Sequence, residues 1–557
     1  MPGNRETAAG PGTGIDADAG AGIDVDTGTG IDPDAGTGID ADVGAGAGSR
    51  TGIPTDIAAD IAVERPSGPY RSASRTTLTD ATGSPAGELS LAPPLLIRQV
   101  LNEMRAAPEQ PTGVRLAALA RAGELFAGAT LDGETPDAYC RRQALVSGLP
   151  VSVARRTLDR AARAGRAAAE ALAAQRPAGA LLPDELSDAG DATAVWVRKG
   201  DVLGVLAPGN HPATHLEWLG AVALGYRVAV RPSQRDPFTP RRLIRALRAA
   251  GLAPAYTALL PTTHAHAEAL VEQADLGLVY GGDSVVARYA DSRRVLAQGP
   301  GRSKILLTGD VPWRDHLDTV AESVAADAGV QCLNASAVLC EEDPRGLAQA
   351  LAERLARLPL LPPDHPDAVL PVRPLAEARH LARQLHGTVG TRLVTASGAG
   401  SGKRPTEGQF TEAHFLAGLG DGSAVLRPAV VVLDSPQDPH FGAELPFPYV
   451  AVAPWRPDLR PAALGRTLSL TVLSQDASLV RECLLSPLIR NVQQGDVPTH
   501  WTRPGLPHDG SLAEFLMESK TFVREPETIV MEPETRASGP GAPAAGAGTA
   551  APQEPAT

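Results

Sequence analysis

The chain has 557 residues, of which 43% are hydrophobic, and a formal net charge of −13. This length is enough for a large core, so we expect two domains with flexible ends. The acidic balance excludes the basic surface on which nucleic-acid binding depends, so no nucleic-acid partner is expected. No run approaches the about 18 consecutive apolar residues of a membrane helix, so we expect no membrane span.

Cysteine usage bears on the compartment and on metal binding. The four cysteine residues are scattered and form neither a disulfide framework, a CxxC pair nor a zinc-ligand spacing. The N-terminus lacks the basic region followed by an apolar one that marks a secretory signal. We therefore expect a cytoplasmic protein and predict no metal site.

Residues 1–88 are predicted to be a disordered tail rich in Asp and Gly. Gly-Ile-Asp recurs there with an eight-residue period, at Gly14, Gly22, Gly30 and Gly38. Repeats of this composition bind calcium in β-helical arrays, but those arrays use nonapeptides with glycine pairs. A solvated low-complexity tail is the better interpretation. The Pro-, Ala-, Gly- and Thr-rich residues 533–557 are predicted to be disordered for the same reason.

Residues 89–300 are predicted to form one α/β domain that begins with helices. Apolar spacing typical of helices occurs over residues 94–107, 114–127 and 151–174. From Asp201 onward, strand-like and helix-like runs alternate. This alternation predicts an open parallel sheet, whose ligands bind at the carboxyl ends of the strands.

A second alternating block over residues 301–445 is predicted to form another α/β domain. Residues 446–532 are predicted to return to the first domain. Their apolar runs over 449–454 and 469–473 are candidates for strands added to the first sheet. A last short ordered piece is expected over 512–517.

Cys332 lies in a Gly-Val-Gln-Cys turn. A helix-like run over residues 315–328 precedes it, and a strand-like run over 335–339 follows. A thiol at such a boundary can attack a carbonyl group while backbone N–H groups face the developing oxyanion. The alternative interpretation of a single cysteine is a small buried apolar residue.

Six short motifs occur around Cys332 in an order and at separations that resemble the aldehyde dehydrogenase superfamily over roughly residues 95–525. They are Ala207-Pro208-Gly209-Asn210-His211-Pro212, Arg231-Pro232-Ser233-Gln234, Val279-Tyr280-Gly281-Gly282, Gln298-Gly299-Pro300-Gly301-Arg302, Gly329-Val330-Gln331-Cys332 and Glu444-Leu445-Pro446-Phe447-Pro448. Their family counterparts are Pro-Trp-Asn-Phe-Pro, Lys-Pro-Ser-Glu, Phe-Thr-Gly-Ser, Glu-Leu-Gly-Gly-Lys, Gly-Gln-x-Cys and, shifted by one residue, Glu-x-Phe-Gly-Pro.

The resemblance implies a fold and an assembly. It implies a Rossmann-type NAD(P)-binding domain over 89–300, an α/β catalytic domain over 301–445, and disordered tails at both ends. It also implies a homo-oligomer, formed through the late strand and the C-terminal segment within 446–532.

The resemblance further implies a covalent mechanism. Cys332 would attack the carbonyl carbon as a thiolate, and the side-chain amide of Asn210 with the backbone N–H of Cys332 would bind the oxyanion. Hydride exchange with the nicotinamide would connect an aldehyde to a thioester on Cys332. The alternative for Asn210 is an ordinary turn residue.

Cofactor contacts are implied by position in the same motifs. Gly281 and Gly282 would bring backbone N–H groups to the pyrophosphate, Glu444 would hold the nicotinamide ribose, and Phe447 would pack near the ring. An ordinary strand-to-helix turn and a surface glutamate are the alternatives.

Gln298 occupies the position at which hydrolytic family members carry a glutamate that activates water. A carboxamide cannot act as a general base. We therefore favour an acylating aldehyde dehydrogenase, or acyl-thioester reductase, whose partner is coenzyme A or a carrier-protein thioester. The runs QGPGRS and ELPFPYV also resemble acyl-thioester reductases of the bioluminescence type. The alternatives are a hydrolytic enzyme with a substitute base and a catalytically silent family member.

Gln234 replaces a glutamate that repels the 2′-phosphate of NADP in NAD-preferring relatives. Arg231 and Arg235 offer cations beside Gln234 and Ser233, so NADP becomes plausible alongside NAD. Near Asn210, His211 and His215 are interpreted as packing or helix-start residues. No histidine is assigned a catalytic role.

Overall fold

The computed structural model describes residues 59–389, 392–394, 412–456 and 458–525. The predicted C-terminal tail over 533–557 lies outside these ranges, as do residues 1–58 of the predicted N-terminal tail. Within the described part of the chain, no helix combines the length and the apolar character needed to cross a bilayer.

The prediction that residues 1–88 are disordered is wrong from Ala59 onward. Five short strands occur there: β1 Ala59–Ile61, β2 Val63–Arg65, β3 Gly68–Tyr70, β4 Arg75–Thr79 and β5 Pro85–Ser90. Their apolar side chains Ile61, Val63, Leu78 and Leu89 are almost completely buried. Strands of three to six residues carry little pattern of their own, and the domain they pack against orders them.

Five helices follow: α1 Pro94–Ala106, α2 Thr112–Gly128, α3 Pro136–Ser147, α4 Val151–Arg166 and α5 Ala168–Gln175. Helices α2 and α4 pack closely because glycine lies at their crossing. A Cβ atom on Gly123 would lie 2.6 Å from the carbonyl oxygen of Ala161, and one on Gly165 would lie 2.5 Å from that of Leu119. This crossing places Gly165 and the start of α5 beside the cavity described below.

The first large sheet confirms the predicted α/β alternation. The elements over residues 192–298 are β6 Ala192–Arg198, β7 Val202–Leu206, α6 Trp218–Ala223, β8 Arg227–Arg231, α7 Phe238–Ala249, β9 Thr257–Leu259, α8 His264–Gln273, β10 Leu276–Tyr280, α9 Asp283–Tyr289 and β11 Val295–Gln298. The strand order is β11-β10-β7-β8-β9-β2-β3, with β6 outside it. Strands β7 to β11 run parallel to one another, so their carboxyl ends share one edge, whereas β2 pairs antiparallel with β9.

The second half of the chain forms the other large sheet. The elements of this half are β12 Ser303–Leu307, α10 Leu317–Ala325, β13 Ala335–Cys340, α11 Pro344–Leu355, β14 Val372–Pro374, α12 Leu375–Val389, β15 Leu393–Val394, β16 Leu416–Gly418, β17 Ser423–Leu426, β18 Ala429–Val432, β19 Tyr449–Pro454, β20 Thr467–Leu473, α13 Ala477–Leu485, β21 Ile489–Gln494, α14 Leu512–Leu516 and β22 Met517–Val523. Strands β14, β16 and β17 form a separate three-stranded sheet, and β22 is also outside the large sheet. The strand order is β15-β18-β19-β13-β12-β20-β21.

This order corrects the predicted boundary at residue 445. Strands β19 and β20 do not join the first sheet, because they flank the central pair β13 and β12 of the second sheet. Only the last described segment returns toward the first domain, where β22 pairs antiparallel with β6. The apolar runs identified both strands correctly. The sequence pattern of a buried strand does not indicate which of two sheets it joins.

Candidate active site

One cavity of about 1010 Å³ lies between the two large sheets and is closed on one side by residues 500–514. Six of the residues singled out in the sequence line it: Asn210, Gly281, Gln298, Cys332, Glu444 and Phe447. The other four, Arg231, Ser233, Gln234 and Gly282, are outside its lining. The two domains therefore converge on Cys332, as the motif order predicts.

The backbone of Cys332 is fixed against the start of β12. The hydroxyl of Ser303 donates a hydrogen bond of 2.8 Å to the carbonyl oxygen of Cys332. A Cβ atom on Gly301 would lie only 2.0 Å from that same oxygen, so the contact requires glycine. The thiol thereby occupies a rigid position at the boundary between a turn and β13.

The thiol of Cys332 lies in an acidic environment. Burial raises the pKa of Cys332 well above its usual range, and Glu444, Glu217 and Asp509 raise it further. Its Sγ atom lies 3.9 Å from Nε2 of His508. The resting group is thus a neutral thiol, and a nucleophilic attack needs a base that takes its proton.

Asn210 reaches the loop of Cys332 from the segment that follows β7. Its Nδ2 donates a hydrogen bond of 2.9 Å to the carbonyl oxygen of Val330. Its Oδ1 is buried without a hydrogen-bond partner among the described residues. An amide group carries two N–H bonds, so one remains for an oxyanion.

Gln298 contacts a carboxylate that the sequence analysis missed. Its Nε2 donates a hydrogen bond of 2.8 Å to Oε1 of Glu217, and the hydroxyl of Tyr280 donates one of 2.5 Å to Oε2. Tyr280 and Gln298 are paired residues at the carboxyl ends of β10 and β11. Burial and the neighbouring Glu217 raise the pKa of Tyr280, so its hydroxyl stays protonated.

Glu444 is half-buried in the same cavity. Its Oε1 accepts a hydrogen bond of 2.5 Å from the backbone N–H of Arg302. Burial raises its pKa to about 7, because the opposing effects of that N–H and of the Arg302 and Lys304 cations are smaller. Phe447, three residues later, is 2% exposed. Glu444 is therefore a carboxyl group that titrates near neutral pH.

An ionic cluster under the site joins the loops that carry Asn210 and Cys332. Oδ2 of Asp327 lies 3.0 Å from Nε2 of His211 and 2.7 Å from a guanidinium nitrogen of Arg160. The same oxygen accepts a hydrogen bond of 2.5 Å from Nε2 of Gln331, and Arg156 also contacts the carboxylate. Burial opposes ionisation of Asp327, but His211 and the two arginines lower its pKa far below the usual range. Asp327 thus links the neighbour of Asn210 to the neighbour of Cys332.

The predicted helix over 315–328 ends early to form this cluster. Helix α10 stops at Ala325, and Asp327 and Ala328 adopt the left-handed conformation with φ of 49° and 68°. Such values are unfavourable for residues other than glycine, and the Asp327 contacts hold them in place.

His211 behaves as expected, since its Nδ1 accepts the backbone N–H of Ala213 at the start of a short 3₁₀ helix. His215 is buried, as expected of a packing residue.

The residues predicted to bind the adenosine part lie at the carboxyl end of β8. Ser233 accepts a hydrogen bond from the backbone N–H of Arg235 at 3.2 Å. The guanidinium of Arg235 is already paired with Glu377 at 2.8 Å. Helix α9 follows Gly282 and begins with Asp283, which is exposed and pairs with Arg302. The contacts of Arg231, Ser233, Gln234 and the two glycines with a dinucleotide stay predictions.

Two side chains of the site were invisible in the sequence. Glu217 stands within the apolar run His-Leu-Glu-Trp-Leu, and only its spatial neighbour Gln298 distinguishes it. His508 stands in a Pro- and Gly-rich loop, 176 residues from Cys332 in the chain. Neither periodicity nor spacing signals such long-range contacts.

A model of the aldehyde dehydrogenase family matches residues 75–428, which is more than half of the chain. A 2-aminomuconic 6-semialdehyde dehydrogenase of Pseudomonas sp is 26% identical over 250 residues, covering 41% of this chain and 49% of the relative. Malonate-semialdehyde dehydrogenase 2 of Bacillus mycoides is 24% identical over 163 residues, covering 28% and 33%. The chain thus matches half or less of the length of these curated relatives.

Solved structures share the fold of this chain over nearly their whole length. An aldehyde dehydrogenase variant from Bacillus cereus superposes with a TM-score of 0.67 at 15% identity, covering 83% of this chain and 96% of the other. An indole-3-acetaldehyde dehydrogenase variant from P. syringae, in complex with NAD+ and IAA, gives 0.66 at 16% identity, covering 83% and 96%. At this identity the likeness concerns the fold, and it agrees with the predicted α/β architecture.

Proposed function

The chain belongs to the aldehyde dehydrogenase family, and on this premise we propose that it is an NAD(P)-dependent oxidoreductase acting on aldehydes through a thioester on Cys332. Within that class we favour an acyl-thioester reductase, which is equally an acylating aldehyde dehydrogenase. Coenzyme A and a carrier-protein thiol are the candidate acyl donors and acceptors.

The geometry around Cys332 supports covalent catalysis. The thiol lines a cavity large enough for an elongated substrate, and Asn210 reaches its loop with one amide N–H bond to spare. Preorganised donors of this kind stabilise the oxyanion that forms when a thiolate attacks a carbonyl carbon. The tie between Ser303 and the backbone of Cys332 keeps the nucleophile in place while that charge develops.

We expect a nicotinamide dinucleotide to bind at the carboxyl ends of β7, β8 and β10, where parallel sheets bind their ligands. The carboxyl group of Glu444 can accept hydrogen bonds from ribose hydroxyls, and the apolar Phe447 can flank a ring. When bound, the cofactor supplies or accepts the hydride. Arg235, one of the two cations expected at a 2′-phosphate, is paired with Glu377 at 2.8 Å.

The single observation that carries the acyl-thioester proposal is the orientation of Gln298. Its amide donates to Glu217 at the position where hydrolytic relatives hold a base, so the side chain is fixed as a donor. Water is thereby left without activation at that position, whereas a thiol acceptor ionises far more readily than water and depends less on a base there. Release of the acyl group to a thiol is the reaction that this arrangement favours.

The test compares products. The protein is incubated with acyl-CoA esters of short to long chain and NADH or NADPH, and aldehyde is trapped and quantified. Aldehyde formation that disappears in Cys332→Ala supports the proposal. Steady oxidation of aldehydes to free acids without any thiol acceptor, together with no reduction of acyl-CoA, contradicts it.

A hydrolytic dehydrogenase is the second candidate, and Glu217 is the observation that favours it. This carboxylate lies 2.8 Å from the amide that replaces the usual base, close enough to substitute for it. Both of its oxygens already accept hydrogen bonds, which is the argument against this role. If Glu217 is the base, Glu217→Gln abolishes acid formation, whereas reduction of acyl-CoA would be retained under the first proposal.

A further inference from the structure

His508 is the side chain that reaches the thiol of Cys332. The separation of 3.9 Å between Sγ and Nε2 is within hydrogen-bonding range for sulfur. Both residues line the same cavity, His508 from the loop over residues 501–511 that closes it. The thiol also contacts its own backbone N–H, and His508 is its side-chain hydrogen-bond partner among the described residues.

The loop holds His508 in that position by contacts with both halves of the molecule. The Nδ2 of Asn491, on β21, donates to the carbonyl oxygens of Leu468 and His508 at 2.8 and 2.6 Å. The hydroxyl of Ser511 donates to Oε1 of Gln175 at the end of α5, at 2.9 Å. The imidazole is therefore attached to a fixed backbone.

The other ring nitrogen of His508 points to a role beyond packing. Its Nδ1 is buried and has no hydrogen-bond partner among the described residues. Buried polar atoms are normally paired, and an exception calls for an explanation. A ring with no acceptor or donor fixing Nδ1 is free to carry its proton there and to present a lone pair on Nε2 to the thiol.

The chemistry of Cys332 requires such a base. The titratable groups that face the thiol are Glu217, Glu444, Asp509, Tyr280 and His508. Glu217 accepts from Gln298 and Tyr280, and Glu444 accepts from the backbone of Arg302. The acidic groups disfavour a free thiolate, so the proton must leave as the bond to carbon forms.

We propose that His508 is a catalytic residue that accepts the thiol proton of Cys332. The proton moves from Sγ to Nε2 while Sγ bonds to the carbonyl carbon. In acyl transfer, the bond from that carbon to the leaving sulfur then breaks, and the imidazolium returns its proton to the leaving thiolate. The first step holds for any carbonyl substrate, and the return of the proton rests on the proposed acyl-thioester function.

Alkylation of Cys332 by iodoacetamide, followed by mass spectrometry across pH 6 to 9, tests the first step without any acyl substrate. In His508→Gln we expect the rate near neutral pH to fall about tenfold or more, since general-base assistance contributes at least this much. Imidazole added to His508→Ala should restore part of the rate. His500→Gln is the matched control, because His500 lines the same cavity but pairs with Glu322 at 3.5 Å.

Equal alkylation rates and pH profiles in His508→Gln and the unmodified protein would overturn the proposal. So would an equal loss in His500→Gln, or a lack of rescue by imidazole in a His508→Ala protein that unfolds at the normal temperature. The outcome is independent of the product test. If alkylation depends on His508 but acyl-CoA is never reduced, the acyl-thioester function fails and the role of His508 stands.

Discussion

The Nε2 atom of Gln298 lies 2.8 Å from Oε1 of Glu217. The site therefore differs from that expected of hydrolytic relatives. The amide of Gln298, a hydrogen-bond donor, occupies the position of their base, and the carboxylate of Glu217 accepts its hydrogen bond. This contact also identifies the variants that separate thioester exchange from hydrolysis.

Gln298→Glu should not by itself create an efficient hydrolase. The new carboxyl group would face Glu217 at hydrogen-bond distance. Two carboxyl groups this close cannot both ionise easily, so the pKa of one of them rises strongly and the pair shares a proton. We expect a lower unfolding temperature at pH 8 and little acid product. The double variant Gln298→Glu with Glu217→Gln should recover stability and release acid without a thiol acceptor. Equal hydrolysis in the single and double variants would contradict this interpretation.

Asp327→Asn should damage both stability and turnover. Removing one partner of a buried charge cluster costs about 3 kcal/mol of the free energy of unfolding, because Arg156 and Arg160 are left without their anion. Denaturant unfolding measures this cost. Asp434→Asn is the control: Asp434 is 93% exposed and pairs with Arg345 at 3.6 Å, and a surface pair contributes about 0–1 kcal/mol.

The cluster around Asp327 also predicts that the free energy of unfolding depends on pH in the acidic range. The pKa of Asp327 is lower in the folded than in the unfolded protein. Its stabilising contribution is therefore complete above the unfolded carboxyl value of about 4 and is lost as the pH falls below it. The difference in unfolding free energy between the unmodified protein and Asp327→Asn should shrink between pH 5 and 3. A constant difference over this range would show that the partners of Asp327 do not lower its pKa.

The raised pKa of Glu444 predicts that the free energy of unfolding changes with pH in the opposite direction. Its folded pKa is raised to about 7, whereas an unfolded glutamate titrates near about 4.3. The unfolded chain loses this proton first, so stability falls as the pH rises from about 4 to 7 and is constant above. Glu444→Gln should remove that loss and be more stable at pH 8, by up to about 4 kcal/mol. Unfolding curves at pH 5 and pH 8 measure it, and an unchanged pH slope would contradict the shifted pKa.

The sequence predicted those parts of the molecule whose pattern is local. The alternation of strands and helices that the sequence predicts from Asp201 onward is present, because apolar runs bounded by turn residues are a local signal. Cys332, Asn210 and Gln298 meet in one cavity because each belongs to a motif with a fixed place on the family fold.

The remaining features depend on partners far away in the chain. The three-residue strands β1 and β2 have too little pattern to be recognised, and they exist through pairing with β5, β3 and β9. The sheet to which β19 belongs is decided by its neighbours β13 and β18. Glu217 contacts a residue 81 positions away and His508 one 176 positions away, so neither role could be inferred without the fold.

Mass spectrometry of Cys332 after incubation with a panel of acyl-CoA esters tests the central claim most directly. We expect an acyl adduct on Cys332 that persists in water and is removed by coenzyme A or reduced to aldehyde by the nicotinamide cofactor. Cys140, Cys340 and Cys483 are buried and serve as internal controls, which should stay unmodified. An unmodified Cys332 with every ester, or an adduct that water removes as fast as coenzyme A does, would contradict the account.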